Sequence, residues 1–272
     1  MAATGTGPFA GLRRMEPRRT IRDLVRAFAN YDLLTYASAI AFQVFFALIP
    51  LLLTGLGILG LFSLQDVWGT ELAPKLRPQV SPAVFEVIDS TVRRVLASKE
   101  LFWATLGAAL AIWEISGAMR AVMTVLDRIY RVRRARRWVE RYAVSLALSA
   151  LMLVLTLAAG AVLALGRAYD GPAGWLRWPV AGLPLLAALA AVVRWAPAEK
   201  RDWQWVSFGT ALVVVAWLAM SAAFALYLQH IADYASIFGN LATIIVALEY
   251  LYLSAIVFLG GLALDGLAEQ RR

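Results

Sequence analysis

The sequence contains long apolar runs without a single charged side chain. Residues 33–65 and residues 143–165 hold no Asp, Glu, Lys or Arg. At about 1.5 Å per residue, roughly 20 helical residues cross the hydrocarbon core of a bilayer, so each run is long enough to span it. Only 16% of all residues are charged, which is too few for an ordinary soluble domain. The runs predict an all-α, polytopic membrane protein, because a helix satisfies its own backbone hydrogen bonds in lipid.

Hydropathy divides the chain into an N-terminal arm, residues 1–32, and a membrane domain, residues 33–272. Within the arm, residues 20–31 have the apolar spacing and the arginines of an amphipathic helix that lies at a membrane interface. Residues 66–100 are polar, but one helix face is predicted to carry Val84, Val87, Ile88, Thr91, Val92, Val95 and Leu96, which predicts an extracytoplasmic helical cap. The six predicted transmembrane helices cover residues 33–65, 101–122, 143–165, 178–193, 206–228 and 237–264.

The distribution of basic residues predicts the orientation of these helices. With six spans both termini lie on one side, and that side carries 19 of the 26 Lys and Arg residues. The positive-inside rule therefore predicts a multi-pass protein with both termini in the cytoplasm. The densest basic segment, "DRIYRVRRARRWVERY" at residues 127–142, has seven arginines against two acids. We interpret it as a topology signal that also contacts anionic lipid head groups, since no nucleic-acid-binding module surrounds it. The arginines predicted to make this contact are Arg131, Arg133, Arg134, Arg136 and Arg137.

Three polar residues lie deep inside the predicted spans: Gln43, Glu114 and Glu249. A charged acid at the centre of a membrane helix costs about 3 kcal/mol on insertion scales, so such a residue usually faces a partner or a water-filled cavity. Glu114 shares a helix face with small residues, which let helices approach closely. We therefore expect Glu114 to point into the bundle, either as a lining residue or in a structural hydrogen bond.

Glu249 lies in "TIIVALEYLYLSAIV", residues 243–257, on the side opposite a seam of small or polar residues. The seam is formed by Asn240, Ala247, Ser254 and Gly261. If the seam packs on one neighbouring helix, Glu249 faces a second neighbour or a cavity, and Tyr252 is placed to bond the acid locally. We expect irregular helix geometry at Pro50, Gly239 and Gly260, since proline and glycine weaken a helix.

Several classes of chemistry find no support in the sequence. The chain has no cysteine and one histidine, His230, so thiolate sites and multi-histidine metal cages are excluded. No nucleophile, base and acid group together at membrane depth, and no phosphate-binding glycine loop is present. We expect no enzyme activity, no cofactor and no metal.

Four segments together resemble a known family. They are "DLLTYASAIAFQVFFALIPLLL" at 32–53, "LDRIYRVRRARR" at 126–137, "WAPAEKRDWQWVSFGTAL" at 195–212 and "YASIFGNLATIIVALEYLYLSAIVFLGG" at 234–261. Their order is similar to that of the YihY/BrkB family of bacterial inner-membrane proteins, once labelled ribonuclease BN. The resemblance implies a six-span helical bundle in the cytoplasmic membrane, with a suspected transport role.

The family pattern maps onto one set of positions in this chain. They are Pro50, Asp127 (usually Asn in the family), Arg131, Pro197, Gly209, Gly239, Tyr252 and Gly260. Tyr250 stands where the family often has Trp, and Leu262 stands where it often has Glu. Because Glu249 lies off this pattern, a mechanism built on the family's acid does not carry over to it.

Three functional hypotheses remain at this point. The leading hypothesis is a transporter that moves a small solute or an amphiphile through a groove between helices, lined by Gln43, Glu114, Glu249 and Tyr252. The alternative is a non-transporting envelope scaffold that acts through the cap and the basic loop. The ribonuclease function is the least favoured. Substrate, direction, energy coupling and self-association into a homo-oligomer are left open by the sequence.

Overall fold

A computed structural model describes most of the chain. The described residues are 17–63, 66–79, 82–98, 101–132, 134, 136–165, 177–199, 203–230 and 242–270. Within these ranges the protein consists of helices and their connections, with no strand. The predicted all-α class is therefore confirmed for the described chain. Arg133 and Gly239 lie outside the described residues.

Nine α-helices follow one another along the described part of the chain. They are α1 (Pro17–Asn30), α2 (Leu33–Leu61), α3 (Ala73–Leu76), α4 (Pro82–Ser98), α5 (Leu101–Ile129), α6 (Trp138–Leu165), α7 (Arg177–Trp195), α8 (Trp203–His230) and α9 (Ala242–Gln270). A π-helical turn at Trp68–Leu72 precedes α3, and a 3₁₀ turn at Arg77–Gln79 follows it.

Four of these helices are long and apolar enough to cross a membrane: α2, α5, α6 and α9. The apolar stretches described for α7 and α8, Pro179–Trp195 and Val213–Tyr227, are shorter. Membrane-spanning helices are thus present, and six spans stay a prediction. Helix α5 continues to Ile129, beyond the predicted end of its span at 122. Hydropathy cannot place that end, because a helix that leaves the bilayer continues with polar residues.

Helix α2 packs along α5, and α9 packs against both α2 and α8. Helix α6 lies between α5 and α7. The main hydrophobic core sits where α1, the start of α2 and the ends of α5, α7 and α9 converge. Its fully buried side chains include Leu33, Leu126, Val193, Leu259 and Leu262. The larger of the two buried cores therefore lies at this one end of the bundle.

Helix α1 is amphipathic, as predicted. Leu24 and Phe28 pack against the main core, and the Phe28 ring lies beside Gly260 of α9. Ile21 and Val25 are each 63% exposed on the outer side. The helix thus has one apolar side that docks on the bundle and a second apolar strip that an interfacial helix presents to lipid.

The segment between α2 and α5 forms a small core of its own. Trp68 is buried against Val92 and Leu96 of α4, and its Nε1 donates to Asp89 Oδ1 at 2.7 Å. The predicted helix over 84–96 is confirmed, but Val87, expected on its inner face, is 66% exposed. Helix α4 buries a narrow stripe around Val92, Val95 and Leu96, and Val87 lies off that stripe.

Candidate functional site

The contact between α2 and α5 is built on small residues. A Cβ added to Gly57 would lie 2.6 Å from the Ala104 backbone nitrogen. A Cβ added to Gly107 would lie 2.7 Å from the Thr54 backbone nitrogen. Two helices approach this closely only where one of them has no side chain. The two helices therefore run together over several turns, and the polar residues on this face are held in fixed positions.

Gln43 is enclosed at this contact. Its amide nitrogen and Cδ would be 2.6 and 2.8 Å from a Cβ on Gly117, so the side chain lies flat against the glycine. The Gln43 Oε1 atom is buried and accepts no hydrogen bond from the described residues. Leaving a buried carbonyl oxygen without a donor costs about 1–3 kcal/mol. Gln43 stands out in the sequence for its depth, but the missing partner is visible only in the structure.

Glu114 lies one helical turn from Gly117 on the same helix. It is half-buried, and the neighbouring residues Ala111, Gly117 and Ala118 on its face are buried. Glu114 makes no hydrogen bond or ion pair with another described residue. The expectation that this acid points into the bundle as a lining residue stays a prediction. Gln43 and Glu114 thus place two polar side chains on successive turns of one helix contact.

Pro50 lies inside α2 one turn before Thr54. Proline has no backbone N–H, so the carbonyl one turn before it loses its usual hydrogen bond. The Thr54 hydroxyl donates to the Pro50 carbonyl at 2.8 Å, and both residues face Gly107. The helix continues through Pro50 from Leu33 to Leu61. The weakened backbone of α2 is thus covered by α5.

The expected irregularity at Gly260 stays a prediction, as does that at Pro50. Helix α9 runs without interruption from Ala242 to Gln270. A Cβ on Gly260 would lie 3.3 Å from the Phe28 Cζ atom. The absence of a side chain at Gly260 thus provides room for the Phe28 ring of α1.

The small seam of α9 faces α8. The Trp217 indole donates to the Ser254 hydroxyl at 3.1 Å, and a Cβ on Gly261 would lie 2.7 Å from a methyl group of Val213. One turn away, the hydroxyls of Ser221 and Tyr250 are 3.0 Å apart. Ser254 and Gly261 of the seam thus pack on α8, and Asn240 of the same seam lies outside the described residues. Glu249 is half-buried, and Tyr252 packs against the main core.

The arginines of the α5–α6 connection do not share one environment. Arg131 adopts a left-handed conformation with φ 49° just after α5, and Arg134 and Arg137 are exposed. Arg136 instead donates three hydrogen bonds to the carbonyls of Trp195, Ala196 and Pro197, at 2.7 to 2.9 Å. Lipid contact stays a prediction for these residues, and Arg136 has a structural role that the sequence did not reveal.

Asp127 completes this arrangement from the end of α5. Its Oδ1 accepts a hydrogen bond from the Ala198 backbone N–H at 2.8 Å. Burial is the main reason that the pKa of Arg136 falls below its ordinary value, and the negative charges of Asp127 and Glu140 oppose that fall. We call residues 195–199 together with Asp127 and Arg136 the loop clamp. It fixes the connection after α7 to the connection before α6.

Two polar positions on α5 and α9 escaped prediction from the sequence. Arg120 on α5 stacks on the Tyr142 ring at 4.6 Å and donates to the Ser116 hydroxyl at 2.9 Å. Asp265 on α9 is fully buried, and its Oδ2 accepts a hydrogen bond from the Tyr130 hydroxyl at 3.2 Å. Both charges stand near span ends in the sequence, where they are counted as flanking residues. Their packing inside the bundle becomes visible only in the structure, because both helices extend beyond the predicted spans.

No group of three or more His, Asp or Glu residues within the described ranges is placed to hold a metal ion. The site therefore consists of two polar side chains at a close helix contact, with hydroxyl and indole groups on the adjacent α8–α9 contact.

Comparison with known proteins identifies the family. The family model described as Virulence factor BrkB matches residues 24–272. This match covers most of the chain, and the chain belongs to the BrkB family. No solved structure gives a significant match.

Several curated relatives are similar over most of this chain. The ribonuclease-like protein YfkH of Bacillus subtilis (strain 168) is 25% identical, over 71% of this chain and 76% of YfkH. A UPF0761 membrane protein of Chromohalobacter salexigens is 26% identical, over 93% of this chain and 64% of that relative. Another, Smlt0865 of Stenotrophomonas maltophilia (strain K279a), is 25% identical over 90% of this chain and 59% of its own length. This chain thus spans about three fifths of the two UPF0761 proteins. Together with the apolar helices, these relatives make it an integral membrane protein of the BrkB family.

Proposed function

We propose that this chain is a transporter that moves a small solute or an amphiphile along a groove between α2, α5, α8 and α9. The four helices pack in the order α5, α2, α9 and α8. The proposal includes six spans, a bacterial inner-membrane location and both termini in the cytoplasm. It includes no hydrolytic step and no cofactor.

The buried Oε1 of Gln43 is the observation that carries this proposal. A buried oxygen without a hydrogen-bond donor raises the free energy of an apolar helix contact. In a transporter, a passing ligand or water molecule would donate the missing hydrogen bond to this oxygen. Glu114 stands one turn from Gly117, on which Gln43 lies. Ionisable residues within membrane helices commonly mark substrate or proton pathways.

Flux through reconstituted proteoliposomes tests the proposal. We would follow proton entry with a pH-sensitive dye inside the vesicles, and amphiphile movement with a fluorescent phospholipid analogue. Gln43→Leu, Glu114→Gln and Glu249→Gln are each expected to reduce at least one of these rates about tenfold or more, which corresponds to about 1.4 kcal/mol.

Glu140→Gln is the matched control, because Glu140 is exposed in the first turn of α6. Its rates are expected to equal those of the unchanged protein. Rates no higher than in protein-free vesicles, or rates unchanged in all three variants, would contradict the proposal.

The small core around Trp68 favours a second candidate, a scaffold for envelope partners. This segment is packed by its own residues, and it presents Val87 and Leu72 as exposed apolar side chains. A scaffold predicts that Val87→Asp removes a partner in cross-linking experiments while flux stays unchanged. A transporter predicts the opposite pattern for Glu114→Gln.

The name of YfkH raises ribonuclease activity as a further question for this chain. Purified protein incubated with RNA and divalent metal ions answers it directly. We expect no cleavage above that of a mock purification from cells without the protein. Cleavage that co-purifies with the protein would overturn the non-enzymatic proposal.

A further inference from the structure

A groove of about 330 Å³ lies between the first half of α6 and the end of α7. Five of its six lining residues are apolar, and the sixth is an arginine. They are Arg136, Val144, Ala147, Leu148, Leu151 and Trp195. The groove is separate from the α2–α5 contact, because none of its residues belongs to α2, α5, α8 or α9.

Arg136 retains hydrogen-bonding capacity at this groove. A guanidinium has five N–H donors, and the loop clamp uses three of them on the carbonyls of residues 195–197. These bonds hold the side chain in one orientation, so a ligand meets a preorganised cation. Arg137 beside it is exposed. The groove is thus almost entirely apolar, with Arg136 at its edge and the exposed Arg137 next to Arg136 in the sequence.

The groove has the depth that a lipid chain needs. Arg136 lies just before α6, and the uncharged run of α6 begins at residue 143. Leu151 is 13 residues after Trp138, which is about 20 Å along a helix. One leaflet of the hydrocarbon core is about 15 Å thick. The arginine thus stands at the level of the head groups while the apolar walls extend into the leaflet.

The charge of the α5–α6 connection, to which Arg136 belongs, favours one kind of head group. Residues 127–142 carry seven arginines and two acids, Asp127 and Glu140. Guanidinium groups bind phosphate through charge-assisted hydrogen bonds, and a basic pocket between membrane helices suits an acidic lipid.

We propose that the groove between α6 and α7 binds an acidic phospholipid of the surrounding bilayer. One acyl chain lies against Val144, Leu148 and Leu151, and the phosphate contacts Arg136 and Arg137. This site lies outside the proposed transport groove and stands whether or not the chain transports a substrate.

Native mass spectrometry of the purified full chain tests the site with defined lipids. Phosphatidylglycerol has a net negative head group and is expected to bind about tenfold more tightly than phosphatidylcholine with the same acyl chains, because the positive choline opposes the attraction between the phosphate and the arginines. Soluble glycerol 3-phosphate at equal concentration is expected not to displace it, because it has no acyl chain.

Two tryptophan variants separate the groove from the rest of α6. Ala147→Trp fills the groove and keeps the loop clamp, and it is expected to reduce phosphatidylglycerol binding about tenfold. Leu146→Trp is the control, because Leu146 is the adjacent exposed residue and does not line the groove.

Arg137→Gln is expected to remove most of the preference for phosphatidylglycerol. Circular dichroism and thermal unfolding verify that each variant is folded.

Three results would overturn the proposal. Equal binding of the two lipids would contradict the preference for an acidic head group. Equal loss of phosphatidylglycerol binding in Ala147→Trp and Leu146→Trp, or no loss in Ala147→Trp, would exclude the groove as the binding site. Displacement by glycerol 3-phosphate would show that the cation binds free phosphate without a lipid chain.

Discussion

Gly107 shows how much of the fold depends on the absence of one side chain. At this position α5 meets the Thr54 backbone and hydroxyl at 2.7 Å and the Pro50 carbonyl at 2.9 Å from where a Cβ would be. A backbone cannot give way as a flexible side chain does. The contact therefore accepts glycine and excludes larger residues.

We predict that Gly107→Leu destabilises the protein by about 1–3 kcal/mol or more, because overpacking forces the two helices apart. Thermal unfolding in detergent measures the change. Gly160→Leu is the matched control, since a Cβ at Gly160 would meet nothing within 4 Å and the residue is exposed in a long apolar helix. Equal melting temperatures for the two variants would contradict this account of the α2–α5 contact.

Asp89 is a single residue on which the small core around Trp68 depends. The Arg93 guanidinium, at 2.8 Å, and then the Trp68 indole hold the pKa of Asp89 below its ordinary value. A carboxyl with a lowered folded-state pKa contributes stability above its unfolded pKa, and that contribution is lost as the pH falls through the folded pKa.

We therefore predict that hydrogen-exchange protection of α4 stays constant from pH 7 to about pH 4 and falls at lower pH. The exchange rates must be corrected for the intrinsic effect of pH on amides. Asp89→Asn is expected to weaken protection at pH 7 and to flatten its pH dependence. A steep loss that persists in Asp89→Asn would assign the effect to other carboxyl groups, such as Glu86.

The polar residues were only partly predictable one by one. Gln43 and Glu114 stand out in the sequence because they interrupt apolar runs. The position of Gln43 on Gly117 depends on the register of two helices about seventy residues apart, which no local pattern encodes. Arg136 stands out for its charge, but its three carbonyl partners belong to a distant loop.

At the scale of elements, the loop clamp connects two helix ends. A helix leaves its last carbonyls without backbone partners, and Arg136 satisfies one at the end of α7 and two in the following loop. Asp127 holds the next residue through the Ala198 N–H. One basic and one acidic side chain thus provide hydrogen bonds that a further turn of α7 would otherwise have made.

We predict that Arg136→Lys loosens this connection, because an ammonium group cannot reach three carbonyls with the geometry of a planar guanidinium. Amide exchange at Ala196 and Ala198 is expected to become about tenfold faster or more. Arg137→Lys is the control, as Arg137 is exposed beside the clamp. Unchanged protection of Ala198 in Arg136→Lys would contradict the role of the clamp.

Helix types were more predictable than helix ends and faces. The apolar runs predicted α2, α5, α6 and α9 because membrane helices must be long and apolar. The apolar pattern did not predict the end of α5 at Ile129, because the helix continues beyond its apolar part. It also did not predict the exposure of Val87, which has the helical spacing of α4 but lies off its buried stripe. Tertiary packing decides both points, and periodicity contains no information about the partner.

At the scale of the molecule, the segment between α2 and α5 and the segment between α5 and α6 are expected on opposite sides of the membrane, since α5 separates them. The chain has no cysteine, so single cysteines report the sides directly. We predict that a membrane-impermeant maleimide labels Ser90→Cys in intact spheroplasts and labels Arg137→Cys only after permeabilisation.

Both positions are exposed in the folded protein. Labelling of both variants before permeabilisation, or the reverse pattern, would contradict the proposed orientation. The cysteine-free chain itself serves as the background control. The outcome also tests the count of basic residues, which is the only basis for placing the termini in the cytoplasm.

The contact of Phe28 with Gly260 has a consequence for biosynthesis. These residues are 232 positions apart, and a ribosome adds roughly 5–20 residues each second. The docking partner of α1 therefore emerges roughly 10–50 s after α1 itself. During that interval the part of α1 that will contact α9 is uncovered, and a membrane surface is the nearest place that can shelter it. The first helix of the bundle is thus among the last to reach its final position, and its docking marks the completion of the protein.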